Sequence, residues 1–227
     1  MVKIVIFFRR RNGMSREAFH EHWSTTHADL ILKLPGLRGY AQSHVFDGAI
    51  AGCEPLYDAV AESWFDDTQA MRTLAKTPEY AAVLADEPNF IDRASINAII
   101  TEEHRIKDGP APADGVKRID FLKRRANISV EDFQRRWREE CCAQFAGSAA
   151  VRRSMQSHTR RSAYEGGRTP TYDGAAMTWF DSAADARALD DSPAFAPFRA
   201  SLAAIVEKMP PEGVLAHELV FLAPPSH

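Results

Sequence analysis

The feature that most limits how this chain can fold is that it is written twice. Shifted by 114 residues, Lys3 falls on Lys117, Phe7 on Phe121, and Arg10–Arg11 on Arg124–Arg125. The same shift carries Ser15, Glu17, Phe19 and Trp23 onto Ser129, Glu131, Phe133 and Trp137, and Gln42-Ser43-His44 onto Gln156-Ser157-His158. After one inserted residue, Tyr57-Asp58 meets Tyr172-Asp173 and Trp64-Phe65-Asp66 meets Trp179-Phe180-Asp181. Ordered matches at a near-constant offset mark a tandem duplication, so both halves must satisfy one fold. The halves are read as residues 1–106 and 116–227. Residues 107–115, KDGPAPADG, have the Gly, Pro and Asp content of a linker.

Within the first half the periodicity alternates between strand and helix. Residues 2–8 read as a strand. Ser15 is placed to cap a helix, with Glu17 in its first turn, where a negative charge suits the helix dipole. Phe19, Trp23, His27 and Leu30 recur at helical spacing, and LPGL ends that helix. Residues 39–46 and the stretch YDAVAESWF read as strands, residues 67–85 as a second helix, and SINAIITEE as a fourth strand. The order β-α-β-β-α-β is the ferredoxin-like unit. Its helices cover one face of the sheet and leave the other wanting a partner. The expected class is therefore α+β, with two ferredoxin-like halves packed sheet to sheet as an intramolecular dimeric α+β barrel.

Composition excludes more than it assigns. A net charge of −3 offers no general attraction to nucleic acid. MVKIVIFF is too short to span a bilayer, and the RRR that follows it is not a cleavage site, so neither a membrane segment nor a signal peptide is expected. Three cysteines, two of them adjacent at Cys141–Cys142, make no disulfide framework, and a reducing, cytoplasmic setting follows.

The stretch REAFHEHWSTTH places His20, His22 and His27 on one helix. His20 and His22 diverge by two positions, and His27 is five further on, which suits no metal. No HExxH, CxxC, GxGxxG, P-loop or GxSxG occurs. His22 is expected in solvent, and so is His20, at the edge of the apolar stripe. His27 shares the buried stripe with Trp23, where it is either a satisfied core histidine or a working one. Tyr40, Gln42 and His44 share one face of the second strand, Glu62 adds a carboxylate on the third, and Asp58 stands at that strand's start. So many polar groups aimed at one small core suggest a site. In the second half Cys141 stands where His27 stood and Met177 where Glu62 stood, with His158 retained. Cys141 suits an apolar filler better than a nucleophile.

The stretch FRRRNGMSREAFHEHWSTTHADL, with LPGLRGYAQSHV and YDAVAESWFD, resembles the EthD family of the dimeric α+β barrel group. The group includes muconolactone isomerases, polyketide cyclases and quinone-forming monooxygenases. The family's Phe, Trp and His at four-residue steps fall on Phe19, Trp23 and His27, its strand-two histidine on His44, and its Tyr-Asp pair on Tyr57–Asp58. The likeness is close over residues 3–66 and looser over 117–181. It implies an enzyme of aromatic-compound catabolism needing neither metal nor organic cofactor, whose partner is a small organic acid, ester or lactone. Isomerisation, cyclisation or hydrolysis would be the chemistry, with His27 or His44 as acid or base and Glu62 or Asp58 sharing its protons. Arg10 and Arg11, and beside them Arg38, would hold a carboxylate, and Trp23, Tyr40, Trp64 and His158 would line substrate. A haem-binding barrel and a non-catalytic ligand-binding or accessory protein are the alternatives. Homo-oligomers of the two-half chain are compatible with all three.

Overall fold

The computed structural model describes residues 1–46, 54–141, 147–209 and 211–225. The chain divides into two compact units: Met1–Val45, Tyr57–Ile100 and Glu218–His227 form the first, and Phe46–Leu56 with Thr101–His217 the second. Among the described residues eight strands, β1 (Val2–Arg10), β2 (Leu37–Val45), β3 (Ala59–Phe65), β4 (Ile91–Lys107), β5 (Val116–Leu122), β6 (Arg153–Thr159), β7 (Gly174–Phe180) and β8 (Glu212–Leu222), are joined in the order β1-β3-β2-β8-β5-β7-β6-β4. That is the strand order of the dimeric α+β barrel class expected from the repeat.

In the first unit β1 and β2 both pair antiparallel with β3, with Ile6 opposite Ala61 and Tyr40 opposite Ser63. Helices α1 (Arg16–His22), α2 (Ala28–Ile31), α3 (Thr68–Leu74) and α4 (Pro78–Phe90) accompany this sheet. Phe8, Phe19, Trp23, Tyr40 and Phe90 are buried between helix and sheet. The Ser15 hydroxyl accepts the Ala18 N–H at 3.2 Å, the expected cap. The expected single helix over 67–85 is instead two. The chain leaves α3 at Ala75 and restarts at α4, where Thr77 caps and Pro78 takes the first position. A proline there starts a helix, because its missing N–H would have had no partner within the helix. The fourth strand is also longer than SINAIITEE, running from Ile91 to Lys107.

The second unit repeats the plan. β5 pairs with β7 and β7 with β6, Asp120 lying opposite Ala176, and β5 pairs on its other side with β8. Its helices include α5 (Val130–Glu139), α6 (Ala183–Asp191) and α7 (Ala196–Ala203). Small bonds recur with the large ones. Ser129 caps α5 through the Asp132 N–H at 3.0 Å, as Ser15 caps α1. The Arg124 N–H donates to Asp173 at 2.9 Å, as the Arg10 N–H donates to Asp58 at 3.0 Å. Cys142, the neighbour of Cys141, lies outside the described residues. No helix among the described residues is long and apolar enough to cross a membrane.

The end of β8 and the residues after it belong to the first unit, although by sequence they close the second half. Phe221 packs on Tyr40 at 5.6 Å between ring centroids, and Pro224 lies where a Cβ on Gly39 would meet it at 2.8 Å. Truncation after His217 is therefore expected to lower the melting temperature and to speed amide exchange along β2. Unchanged protection of Tyr40, Ala41 and Gln42 in the truncated chain would contradict this packing.

Candidate active site

The site begins with a departure from the α-helix. Between α1 and α2 the segment Trp23–His27 winds as a π turn. Thr25 Oγ1 donates to the Glu21 carbonyl at 2.6 Å and Ser24 Oγ to the same oxygen at 3.3 Å. Hydroxyls competing for a helical carbonyl loosen the regular backbone pattern, and wide turns of this kind gather at functional sites. On the inner side the amide of Gln42 donates to the Trp23 carbonyl at 2.7 Å.

The turn delivers His27, 6% exposed, against α4. There His27 Nδ1 lies 2.9 Å from Asp86, which His22 Nε2 also meets at 2.9 Å and the Asn89 amide at 3.0 Å. An ionised carboxylate only accepts, so each imidazole donates to it. His27 thus carries its proton on Nδ1 and keeps the Nε2 lone pair. Burial holds the His27 pKa below the usual imidazole value, and Asp86 only partly restores it, so the ring is neutral at pH 7. Burial alone would raise the pKa of Asp86, but the bonds from Asn89, His27 and His22 outweigh it and keep the carboxyl below its usual range. His22 is therefore not the solvated side chain expected: Asp86 draws it in and leaves its side chain 24% exposed.

His27 lines a cavity of about 380 Å³ between the helices and the sheet of the first unit. Ile4, Ile6, Phe8 and Ile31 make its walls apolar, and Trp23, Tyr40 and Ser63 share it. Tyr40 is buried, and burial raises its pKa, so it stays a neutral phenol. Its oxygen accepts from Gln42 Nε2 at 2.8 Å. Gln42 Oε1 in turn accepts from His44 Nε2 at 2.8 Å. Trp23 packs over His44 at 4.6 Å, and His20 meets it edge-on at 4.6 Å, half-buried rather than solvated. His44 is thus tied to the cavity through Gln42 and Tyr40.

The remaining candidates lie elsewhere. Ala61, Ser63 and Phe65 face the cavity, so strand alternation turns Glu62 and Trp64 to the opposite face of β3. There Glu62 pairs with the buried Lys3 at 2.5 Å, and Lys3 lies over the Trp64 ring at 4.9 Å. The sequence reading grouped Glu62 with His27 and His44, and alternation separates them. Asp58 binds the Arg10 side chain and lies 3.4 Å from Arg16. Arg10 also donates to the Met14 carbonyl at 3.0 Å, and the exposed Arg11 bonds through its backbone to Phe90. Neither arginine lines the cavity, and Arg38 pairs on the surface with Asp66 at 2.7 Å. His158, in the second unit, stacks on Trp137 at 4.4 Å and donates to Gln156 at 2.7 Å. Burial, with His104 and Arg138 beside it, pushes the His158 pKa down to about 3. Cys141 is buried, which pushes its thiol up to about 11, and Met177 accepts a bond from Ser157 at 3.4 Å.

Three residues of this site were missed. Asp86 stands with Val83 and Phe90 on the buried stripe of α4, and a carboxylate at a core position was the readable signal. Glu87, on the same helix, lines the cavity with its pKa raised by burial. Arg72, exposed on α3, is the cation on the cavity wall, and nothing in its local pattern marked it.

Comparison with known proteins bears most directly on the first half. Residues 11–94 match the family model described as the EthD domain. An EthD family protein from Bacillus halodurans is 27% identical, with 46% of this chain and 99% of that one covered at a TM-score of 0.39. An anthrone oxidase-like protein aligns over 96% of this chain and 92% of its own at a TM-score of 0.67, with 10% identity, a likeness of fold. No curated protein matches the chain.

Two titrations test the dyad. The His27 midpoint followed by NMR is expected below 6.5, and lower again in Asp86→Asn, because the carboxylate that raises it is gone. A higher midpoint in the variant would overturn the assignment. A depressed imidazole pKa contributes stability that is full above pH 6.5 and is lost as pH falls through the folded value. Thermal stability should therefore fall on acidification below about pH 6.5, less steeply in His27→Gln.

Proposed function

The chain belongs to the EthD family through residues 11–94, and from that membership we propose that it is an enzyme working by proton transfer without a cofactor. Its substrate is a small organic acid or the corresponding ester or lactone. The observation that carries the proposal is the His27–Asp86 pair, 2.9 Å apart, with His27 on the wall of an apolar cavity. A neutral imidazole with a free lone pair is a base near working pH, and a carboxylate on its other nitrogen fixes the tautomer and steadies the imidazolium that forms.

The other cavity residues take complementary parts. Tyr40, a phenol kept protonated, donates to the oxygen on which charge gathers when the proton leaves. Gln42 and His44 position Tyr40 from behind. Arg72 binds the substrate carboxylate in the part first assigned to Arg10 and Arg11, since its guanidinium borders the cavity. Glu87, with its raised pKa, returns a proton at a second position, as an isomerisation requires. Apolar walls keep water from competing for the reactive carbanion or enolate.

The test is solvent-deuterium incorporation into unsaturated and cyclic carboxylic acids and lactones, with turnover measured in parallel. His27→Ala is expected to lower kcat by about 100-fold or more, the usual scale for losing a general base. Asp86→Asn should lower kcat and leave KM nearly unchanged, because Asp86 acts on His27 and not on substrate. Arg72→Met should raise KM for acids and spare neutral lactones. Turnover and exchange that survive in His27→Ala would overturn the proposal. Activity that disappears on chelation, or that follows a haem absorbance band, would also overturn it.

A further inference from the structure

The second unit holds a cavity of about 590 Å³ in the same place between helix and sheet, larger than the first. The two correspond residue by residue. Trp23, Tyr40, Ala61, Ser63 and Phe65 have as counterparts Trp137, Ser154, Ala176, Thr178 and Phe180. The strand registers agree, since Ile6 faces Ala61 and Asp120 faces Ala176. The bond from the Arg11 N–H to the Phe90 carbonyl recurs as Arg125 to Ile205, and the same offset sets Ser201 where the first unit has Asp86.

Both members of the His27–Asp86 pair are thus replaced, by Cys141 and Ser201, yet the cavity has not become an apolar core. Where the first unit has Ile4 and Ile6, the second has Arg118 and Asp120. All four line their respective cavities. Arg118 lies 2.9 Å from Asp120 and 2.5 Å from Asp190, which α6 brings to the same wall. Arg199, from α7, borders the cavity and donates to the Asp190 and Ser192 carbonyls at 2.6 and 3.2 Å. Polar groups have moved from the helix to the strand. The rest of the wall, including Leu122, Trp137, Leu189, Phe195 and Phe198, is apolar.

We propose that this second cavity is a binding site in its own right, for a neutral molecule with a flat apolar body and a hydroxyl or carbonyl head that Asp120 and Arg118 hold. The size is that of an ordinary small-molecule pocket. Charge balance selects the head. Arg118 is already shared by the half-buried Asp120 and the exposed Asp190, and an ionic ligand would have to compete with these carboxylates or part Asp120 from its cation. A hydroxyl can donate to Asp120 and a carbonyl can accept from Arg118 without disturbing the pair. Burial also raises the pKa of Asp120 despite Arg118, as suits a carboxyl facing an uncharged partner. The site owes nothing to His27, so it stands or falls separately from the proposed catalysis.

Calorimetric titration of the full chain at pH 7 with 2-naphthol, 2-naphthoate and 2-naphthylmethylamine tests this. 2-Naphthol is expected to bind at least about tenfold more tightly than either ion, as one lost buried hydrogen bond would imply. Asp120→Asn preserves size and removes one negative charge, so it should weaken 2-naphthol and strengthen 2-naphthoate. Ala176→Phe, which fills the cavity, should abolish this 2-naphthol site, while His27→Ala should leave it unchanged. The proposal is overturned if none of the probes binds or if an ion binds best. It is equally overturned if 2-naphthol binding ignores Asp120→Asn and is lost instead in Ala61→Phe, which fills the first cavity.

Discussion

Much of this structure depends on one hydrogen bond made twice, from a strand glutamine to a helix carbonyl. Gln42 donates to the Trp23 carbonyl at 2.7 Å, and Gln156 to the Trp137 carbonyl at 3.1 Å. Both amides are buried, and a buried amide left unpaired costs about 1–3 kcal/mol. The bond therefore fixes how far the first helix of each half stands from its sheet. On the other end of each amide a histidine donates, His44 in one unit and His158 in the other, with a tryptophan ring laid over it. This Trp-Gln-His assembly is a strut. It holds helix and sheet together at one point and leaves space beside it, and the cavities of both units border its Trp and Gln or the Tyr bound to them.

Such a strut explains why the duplicated halves could diverge in their chemistry without losing their fold. The bonds common to both are backbone-directed: serine caps, Asp58 and Asp173 on strand-end N–H groups, and the glutamine bridge. The groups that differ point into the spaces between. One unit presents an imidazole and its carboxylate from helices, and the other an arginine with two carboxylates from a strand and a helix. Fold and reactivity reside in different residues, which is why a barrel of this class can host unrelated activities.

The fold was legible because repetition doubled every signal. A strand or a cap read in one half could be checked against the other, and the alternation of Tyr40, Gln42 and His44 placed them together as observed. The site was less legible, because its decisive contact joins residues 59 positions apart. Local patterning marks His27 as buried but cannot name its partner, and the helix expected over 67–85 runs through the start of α4 at Thr77-Pro78 and stops one residue short of Asp86. Glu62 was misplaced for a simpler reason. The period of two groups it with Val60 and Trp64 but does not say which face of β3 meets His27, and in the structure Ala61, Ser63 and Phe65 take that face.

The π turn at Trp23–His27 has a bearing on how such a site can arise and be lost. A π turn is an α-helix carrying one residue too many, with bonds reaching five positions instead of four. In a lineage of related chains, losing one codon from the Ser24-Thr25-Thr26 stretch would restore an unstrained helix. The wide turn takes up the extra residue, so the chain beyond the deletion would keep its place on the sheet. Phe19, Trp23 and Ala28 would stay buried where they are, and only the stretch that carries His27 past Asp86 would be shortened. The fold can therefore gain or lose this turn without repacking the rest of the helix.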